Sequence, residues 1–406
     1  MRRPDGERRL AFLGDARSYR DGTRRVGRIE THFAWVFLTR TRALKLKKPL
    51  RQGGMDYRTL AQRCRGCRDE VRLNRRLAPR VYVGAWRLCA DRSGRLRLGP
   101  RRAGRVLDCV VLMRRLAAAR MLDATLRRRA LTAAEIERVA AHLARFFGRA
   151  RPVRMTPARR LERLRRQGEA DAAELLAVHA PWRARLQHVR ALQRRFMALR
   201  RAALAARAAC VIEGHGDLRP EHVWLGPPVA VIDCLEFDRR LRLRDPAEEL
   251  AYLRLELTRL RAARLGRRLC VSVLERLGDA PGEALVSYYM SLQALTRAKL
   301  AAWHVGDPQF PDPRPWLRRA ASYLEDARRH AARALRLAAS EAVAASEAAA
   351  PVARAAAAVG RAATAQASAV RRRRPALQQR RQRPAVAQAR QRLRKERRHR
   401  QDRRAR

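Results

Sequence analysis

Apolar and polar positions fall into two regimes along this chain. Up to about residue 115 the pattern favours strands. Residues 30–38, ETHFAWVFL, and 42–48, RALKLKK, read as two strands joined by a short polar turn. In the second, Leu44 and Leu46 face one way while Lys45 and Lys47 face the other. Residues 58–77 interrupt with helical spacing, an apolar stripe running through Leu60, Cys64, Cys67, Val71 and Leu77, with Glu70 at its border. Two more β-rich runs, 81–90 and 105–113, flank a turn region over 91–102. Beyond Met113 the spacing turns helical, with amphipathic stretches over 132–149 and 157–208. In the latter Trp182, Leu186, Val189, Gln193, Phe196 and Leu199 share a face, and Arg190, Arg194 and Arg201 are expected to be exposed. A stripe of that kind implies core packing and no chemistry. Asp245-Pro246-Ala247-Glu248 reads as a capping box opening a helix over 246–260, which makes Asp245 structural. Further helices are expected over 283–304 and 314–337.

One stretch fits neither regime. Residues 210–238, CVIEGHGDLRPEHVWLGPPVAVIDCLEFD, read as loop, strand, turn, strand and acid. Val223–Leu225 and Val229–Ile232 are short apolar runs separated by Gly226-Pro227-Pro228, a plausible hairpin. In an antiparallel pair the start of the first strand lies beside the end of the second. The hairpin should therefore bring Asp217 and His222 close to Asp233, with His215 beside them.

Composition changes the picture in three ways. The 406 residues leave room for two domains, and the formal charge is +56. Basic character is general but concentrates at the end, where residues 331–406 hold 21 Lys and Arg against 4 Asp and Glu. Past residue 338 the chain is alanine-rich, and from Arg371 it is dominated by Arg and Gln. It offers too little apolar surface to offset chain entropy, so a disordered tail is expected. Runs such as Arg371–Arg374 suit nonspecific binding of nucleic acid or another polyanion; the tail has no aromatic residues for base stacking. Only five cations are lysines, and three of them, Lys45, Lys47 and Lys48, fall within four residues. A compact ammonium suits phosphate oxygens in a way that guanidinium does not freely replace. Seven unevenly spaced cysteines without a secretory leader imply a reducing cytoplasm, and Cys64-x-x-Cys67 reads as helix packing. No apolar run reaches the roughly 18 residues needed to span a bilayer.

The expected organisation is thus an α+β fold: a β-rich lobe over 1–115, a helical lobe over 116–337, and a low-complexity tail over 338–406. A lysine-bearing β lobe, then a loop aspartate, a hairpin and a second aspartate suit phosphoryl transfer from a nucleotide. The lysine would neutralise donor phosphates, the loop aspartate orient an acceptor hydroxyl, and the second aspartate hold Mg²⁺.

HGDLRPEH followed by VIDCLEFD resembles the catalytic loop and metal-binding aspartate of the aminoglycoside phosphotransferase-like family, in the two-lobed protein-kinase-like fold. ETHFAWVFL, ALKLKKPL, DEVRLNRRLAP, CVVLMRRL with MLD after it, and ALTRAKLAAW, in that order, resemble one bacterial branch over roughly residues 10–305. The resemblance implies ATP as donor, with Mg²⁺ or Mn²⁺, and a small-molecule hydroxyl acceptor. It makes Asp217 catalytic, Asp233 a metal ligand, Lys45 the nucleotide lysine with Lys47 as competitor, and Glu70 its helix partner. Met113, Arg114 and Leu116 fall in the hinge along the adenine, and His215 shapes the loop. Two departures stand out. His222 replaces the asparagine that usually supplies a second metal ligand, and imidazole suits softer ions than Mg²⁺. No glycine-rich phosphate loop occurs near residues 20–35. Members of this branch often carry a P-loop ATPase domain; no G-x-x-x-x-G-K-[ST] occurs here, so a single kinase-like unit plus tail is expected. The arginine-rich helical lobe opposes a polycationic aminoglycoside and favours a neutral or anionic acceptor. Two other readings remain open: a pseudokinase marked by His222, and a polyanion-binding protein on a kinase-like scaffold.

Overall fold

A computed structural model describes residues 5–343 apart from 53, 102–103 and 308–309, together with 359–360, 363–364, 391–393 and 395. The chain divides into two compact units, Met1–Ala338 and Ala339–Arg406. The first holds a β-rich lobe and a mainly helical lobe, the two-lobed α+β arrangement expected. Most of the second, including the expected disordered tail beyond Arg371, lies outside the described residues.

Six antiparallel strands form the first lobe: β1 Gly27–Glu30, β2 Ala34–Leu38, β3 Arg42–Lys47, β4 Tyr82–Ala90, β5 Leu96–Gly99 and β6 Arg105–Arg114. Their spatial order is β1-β2-β3-β6-β4-β5. The alternation in β3 decides which face is which. Leu44 and Leu46 join Phe37, Val110 and Leu112 in a cluster that Leu13, from the helix Asp5–Gly14, also enters. Lys45 and Lys47 point to the opposite face, which the helix Leu60–Asn74 covers through Cys67 and Val71 against Cys109 and Val111. The sheet is therefore sandwiched, and one inner face carries ammonium groups beside apolar neighbours.

Several expectations are corrected. Residues 30–38 are not one strand, because Thr31 closes a tight turn with its N–H on the Ala34 carbonyl at 2.9 Å, putting His32 at the bend. The turn region over 91–102 contains β5, whose Leu98 pairs with Leu88. The helix expected over 58–77 is shorter, since Thr59 caps it in a capping box with Gln62. The stretch 157–208 breaks into Pro157–Val178, Arg183–Leu199 and shorter turns. Within it Arg190 is buried, not exposed: Gly168 leaves room where a Cβ would lie 1.9 Å from the guanidinium, and Gln193 accepts its hydrogen bond at 2.6 Å. Leu199, at the end of its helix, is exposed as the apolar stripe runs out. Asp245 does cap the helix Pro246–Arg259, accepting from the Ala247 N–H at 2.9 Å. Glu248 does not complete a capping box; its carboxylate is taken up by Arg160 at 2.9 Å and by Arg244. Cys64 is joined by a disulfide to Cys109, 45 positions away, contrary to the expectation of unpaired thiols; helix and strand are adjacent only in the folded lobe.

The second lobe is built on two nearly engulfed helices, Pro246–Arg259 and Glu283–Ala302, with Leu250, Leu253, Tyr288, Leu292 and Leu295 in its core. No helix among the described residues is long and apolar enough to cross a membrane.

Candidate active site

Lys45 reaches from β3 to both sides of the cleft. Its Nζ lies 2.6 Å from Asp233 Oδ1 and 3.1 Å from Glu70 Oε1. Glu70 is fully buried and takes Lys47 on its other oxygen at 2.6 Å. Lys47 also pairs with Glu236, which accepts a further hydrogen bond from Tyr57 Oη at 2.5 Å. The two lysines thus share one glutamate but differ in surroundings. Lys47 is 2% exposed and held between two carboxylates, whereas Lys45 is 19% exposed and faces Asp233. Burial would depress both ammonium groups, but the Asp233, Glu70 and Glu236 carboxylates outweigh it and hold both well above the ordinary lysine value.

Asp233 adopts φ 64, a left-handed conformation that an aspartate tolerates better than most non-glycine residues. The first lobe holds it there. Its N–H donates to Tyr82 Oη at 3.1 Å, and the next N–H, of Cys234, donates to Asn74 Oδ1 at 2.9 Å. Partial desolvation favours the neutral acid, but the Lys45 ammonium outweighs it, so Asp233 stays ionised well below the usual carboxylate range.

The loop over 214–222 is fixed from behind. Gly214 cannot carry a side chain, since a Cβ would lie 2.6 Å from Glu249 Oε1. The same oxygen accepts the Gly216 N–H at 2.7 Å, where φ is 87. His215 donates from Nε2 to the Ile232 carbonyl at 2.9 Å and accepts the Asp217 N–H on Nδ1 at 3.2 Å, which fixes its tautomer. Burial lowers its pKa to about 4, in keeping with a neutral ring. Asp217 accepts from Tyr252 Oη at 2.9 Å and pairs with Arg219 Nε at 3.0 Å. Burial would raise its pKa; the Arg219 charge more than reverses that, keeping it ionised.

The hairpin, Val223–Trp224 paired with Ala230–Val231, brings the two acids to one histidine. His222 Nδ1 donates to the Asp217 carbonyl at 2.8 Å, leaving Nε2 as the lone-pair nitrogen. That nitrogen accepts from Arg219 Nη2 at 3.1 Å and faces Asp233 Oδ2 at 3.6 Å. Nδ1 lies 3.7 Å from Asp217 Oδ2. The structure thus brings Lys45, Glu70, Asp217, His222 and Asp233 together. Lys47 stands one step behind, in a buried ion-pair network. Met113 and Arg114 end β6, with the Arg114 N–H donated to the Val81 carbonyl at 2.8 Å. Arg114 and Leu116 line a cavity of about 170 Å³ with Trp224 and Val229 of the hairpin region.

Sequence reasoning missed Glu236, Arg219, Tyr82, Tyr252 and Glu249. The first two sit inside the quoted motifs, three residues after Asp233 and two after Asp217, where charge alone could have flagged them. The tyrosines and Glu249 arrive from distant segments and leave no local signal.

Glu249 yields a pH prediction. Burial raises its pKa to about 7, against an ordinary value of 4.5. Between these values the folded state holds a proton that the unfolded chain has released. Stability therefore falls as pH rises from about 4.5 to about 7, by on the order of 3 kcal/mol for this group. Glu249→Gln keeps an acceptor for the Gly216 N–H and removes the titration. Denaturant unfolding at several pH values should show a flatter profile for the variant in this window; parallel curves would refute the assignment.

No family model matches the chain. It is 31% identical over 281 residues to an uncharacterized protein of Mycobacterium tuberculosis (strain ATCC 25618 / H37Rv), and equally to an uncharacterized protein of Mycobacterium bovis (strain ATCC BAA-935 / AF2122/97). Each match covers 67% of this chain and 53% of the relative, so the chain spans about half the length of the curated relatives it matches. Among solved structures, a choline/ethanolamine kinase family protein from Mesorhizobium loti has a TM-score of 0.44 at 15% identity, covering 82% of this chain and 99% of its own. An ADP-bound aminoglycoside phosphotransferase has a TM-score of 0.43 at 12% identity, covering 77% and 97%. A glucosamine kinase in complex with glucosamine, ADP and inorganic phosphate has a TM-score of 0.41 at 16% identity, covering 79% and 82%.

Proposed function

We propose that the chain is an ATP-dependent phosphotransferase that moves the γ-phosphoryl group to a hydroxyl of a small neutral or anionic acceptor. The observation that carries this reading is the convergence of Lys45, Asp233, His222 and Asp217 at the junction of the lobes. Phosphoryl transfer asks little covalent chemistry of the protein; it needs positioning and charge neutralisation. Lys45, kept protonated, neutralises donor phosphate oxygens, and Glu70 fixes its direction. The hinge over 113–116 lies along the adenine. Asp217, kept ionised, accepts the hydrogen bond of the acceptor hydroxyl and orients it, while Tyr252 holds the carboxylate. Arg219 on Asp217 favours an acceptor that does not bring further positive charge.

The residues fit a divalent ion. Asp233 would hold it through Oδ2, and His222 offers Nε2, 3.6 Å from that oxygen, once the Arg219 N–H that it now accepts is displaced. When bound, the ion would neutralise charge on the donor phosphates. A mixed nitrogen and oxygen donor set suits Mn²⁺ better than Mg²⁺, which prefers oxygen ligands. The native enzyme should therefore have a higher ratio of Mn²⁺-supported to Mg²⁺-supported turnover than His222→Asn, read from initial rates. Equal ratios would remove His222 from the metal shell.

Screening hydroxyl compounds with purified protein and γ-labelled ATP tests the function. Label should pass to a neutral or anionic acceptor and not in Asp217→Asn. Robust labelling of kanamycin-type amines would overturn the charge argument. Silence of the native chain with turnover in His222→Asn would replace this reading by a pseudokinase.

A further inference from the structure

A second cluster joins the lobes away from the aspartates. His32 sits at the bend between β1 and β2. His304 and Asp307 follow the helix Glu283–Ala302 in the second lobe. Each offers one ligand atom, and the three atoms lie within 4.8 Å of one another. His32 Nδ1 is 2.8 Å from Asp307 Oδ2, and His304 Nδ1 is 4.0 Å from the same oxygen.

We propose that His32, His304 and Asp307 bind a divalent first-row transition ion of the zinc class that clasps the β1–β2 bend to the helical lobe. Three features of the side chains lead there. First, His32 Nε2 faces Gln52 Oε1, an acceptor, so that nitrogen carries a proton. Nδ1 lies 2.8 Å from the Asp307 carboxylate, a contact that requires either a proton or a cation between the two atoms. An imidazole that donates through one nitrogen to a carbonyl while coordinating through the other is the usual arrangement in metal sites.

Second, the buried Nδ1 of His304 has no hydrogen-bond partner. Its ring is held by Trp316, with centroids 4.0 Å apart, and by Phe310 at 4.9 Å. The ring stands edge-on to His32, with centroids 5.6 Å apart.

Third, the spacing is close to what coordination requires. A tetrahedral ion with bonds of about 2.0–2.2 Å separates its ligand atoms by roughly 3.3–3.6 Å. The observed separations of 2.8 Å and 4.0 Å fall on either side, within reach of small ring rotations. Two imidazoles and one carboxylate favour zinc-class ions over Mg²⁺ or Ca²⁺, and three protein ligands leave a position for water or an anionic oxygen.

Co²⁺ added to the chelator-treated full chain tests this through its visible spectrum. The expected result is an ion that stays bound in Asp233→Asn, with d–d bands and without the strong thiolate charge-transfer band that binding to a free cysteine would give. His304→Asn and Asp307→Asn should each weaken that binding by at least about tenfold. Asp233→Asn should leave it unchanged, which separates this site from the one proposed for the nucleotide metal. Thermal melts without metal check that each variant folds, and His32→Gln serves if one does not. With Co²⁺ bound, amide exchange over 27–38 should slow in the native chain and in Asp233→Asn, and not in the His304 and Asp307 variants. The proposal is overturned if native and variant chains bind Co²⁺ alike, or if millimolar Co²⁺ leaves the d–d region flat. The latter would mark His32 and Asp307 as a doubly protonated imidazole paired with a carboxylate.

Discussion

Asp217→Asn is expected to lower phosphoryl transfer by about a thousandfold while leaving the melting temperature within a few degrees of the native value. The amide is close in size to the carboxylate and can still accept the Tyr252 hydroxyl proton, so the loop need not move. What disappears is the charge that Arg219 holds in place. An amide oxygen is a weaker acceptor for the substrate hydroxyl, so the alignment of the attacking oxygen is lost in the transition state. Steady-state rates with the acceptor found by screening, together with a melt, check both halves. Near-native turnover would remove Asp217 from the chemistry.

Lys45→Met and Lys47→Met are expected to fail in opposite ways, although the residues are two apart on one strand. Lys45→Met should cut kcat/KM for ATP by about a hundredfold or more with a modest effect on stability. Its ammonium is partly open and bonded to Asp233, and Asp233 is itself half-exposed and able to be hydrated. Lys47→Met should destabilise the fold by about 3 kcal/mol, because it strips a buried cation from Glu70 and Glu236. Glu70 retains Lys45 and Glu236 retains Tyr57, which limits the damage. Unfolding free energies and initial rates for the pair would show whether the roles divide as stated. A reversal would make Lys47 the nucleotide lysine.

The reason the sequence could name both lysines but not rank them is local. Alternation puts Lys45 and Lys47 on one face of β3, and nothing nearby says which reaches the cleft. That depends on Asp233, 188 positions from Lys45, and on Glu236 filling the space beside Lys47. The hairpin was legible because proline and glycine punctuate two short apolar runs. The bend at His32 was not, because ETHFAWVFL keeps apolar residues across it and the break comes from the Thr31 to Ala34 hydrogen bond. The fold regimes were visible for the same reason the hairpin was: periodicity and turn residues are local properties.

Arginine shows the limit of composition. The helical lobe reads as a basic surface in sequence, yet Arg160, Arg190, Arg207, Arg242, Arg244 and Arg297 are buried. Arg207 forms paired bonds to Asp245 and Asp279, and Arg160 bonds to Glu248 and to Tyr289 at 2.9 Å each. Part of the charge is thus taken up inside the lobe by carboxylates. A count of cations cannot separate such internal pairs from a surface that attracts polyanions, since both use the same residue type.

Calorimetric titration of the full chain with ATP, in the presence of Mn²⁺ or Mg²⁺, tests the central claim without knowledge of the acceptor. The account predicts one nucleotide per chain, binding that requires the divalent ion, and loss of that binding in both Asp233→Asn and Lys45→Met. Metal-independent binding of equal strength in native and variant chains, or no binding at all, would contradict it.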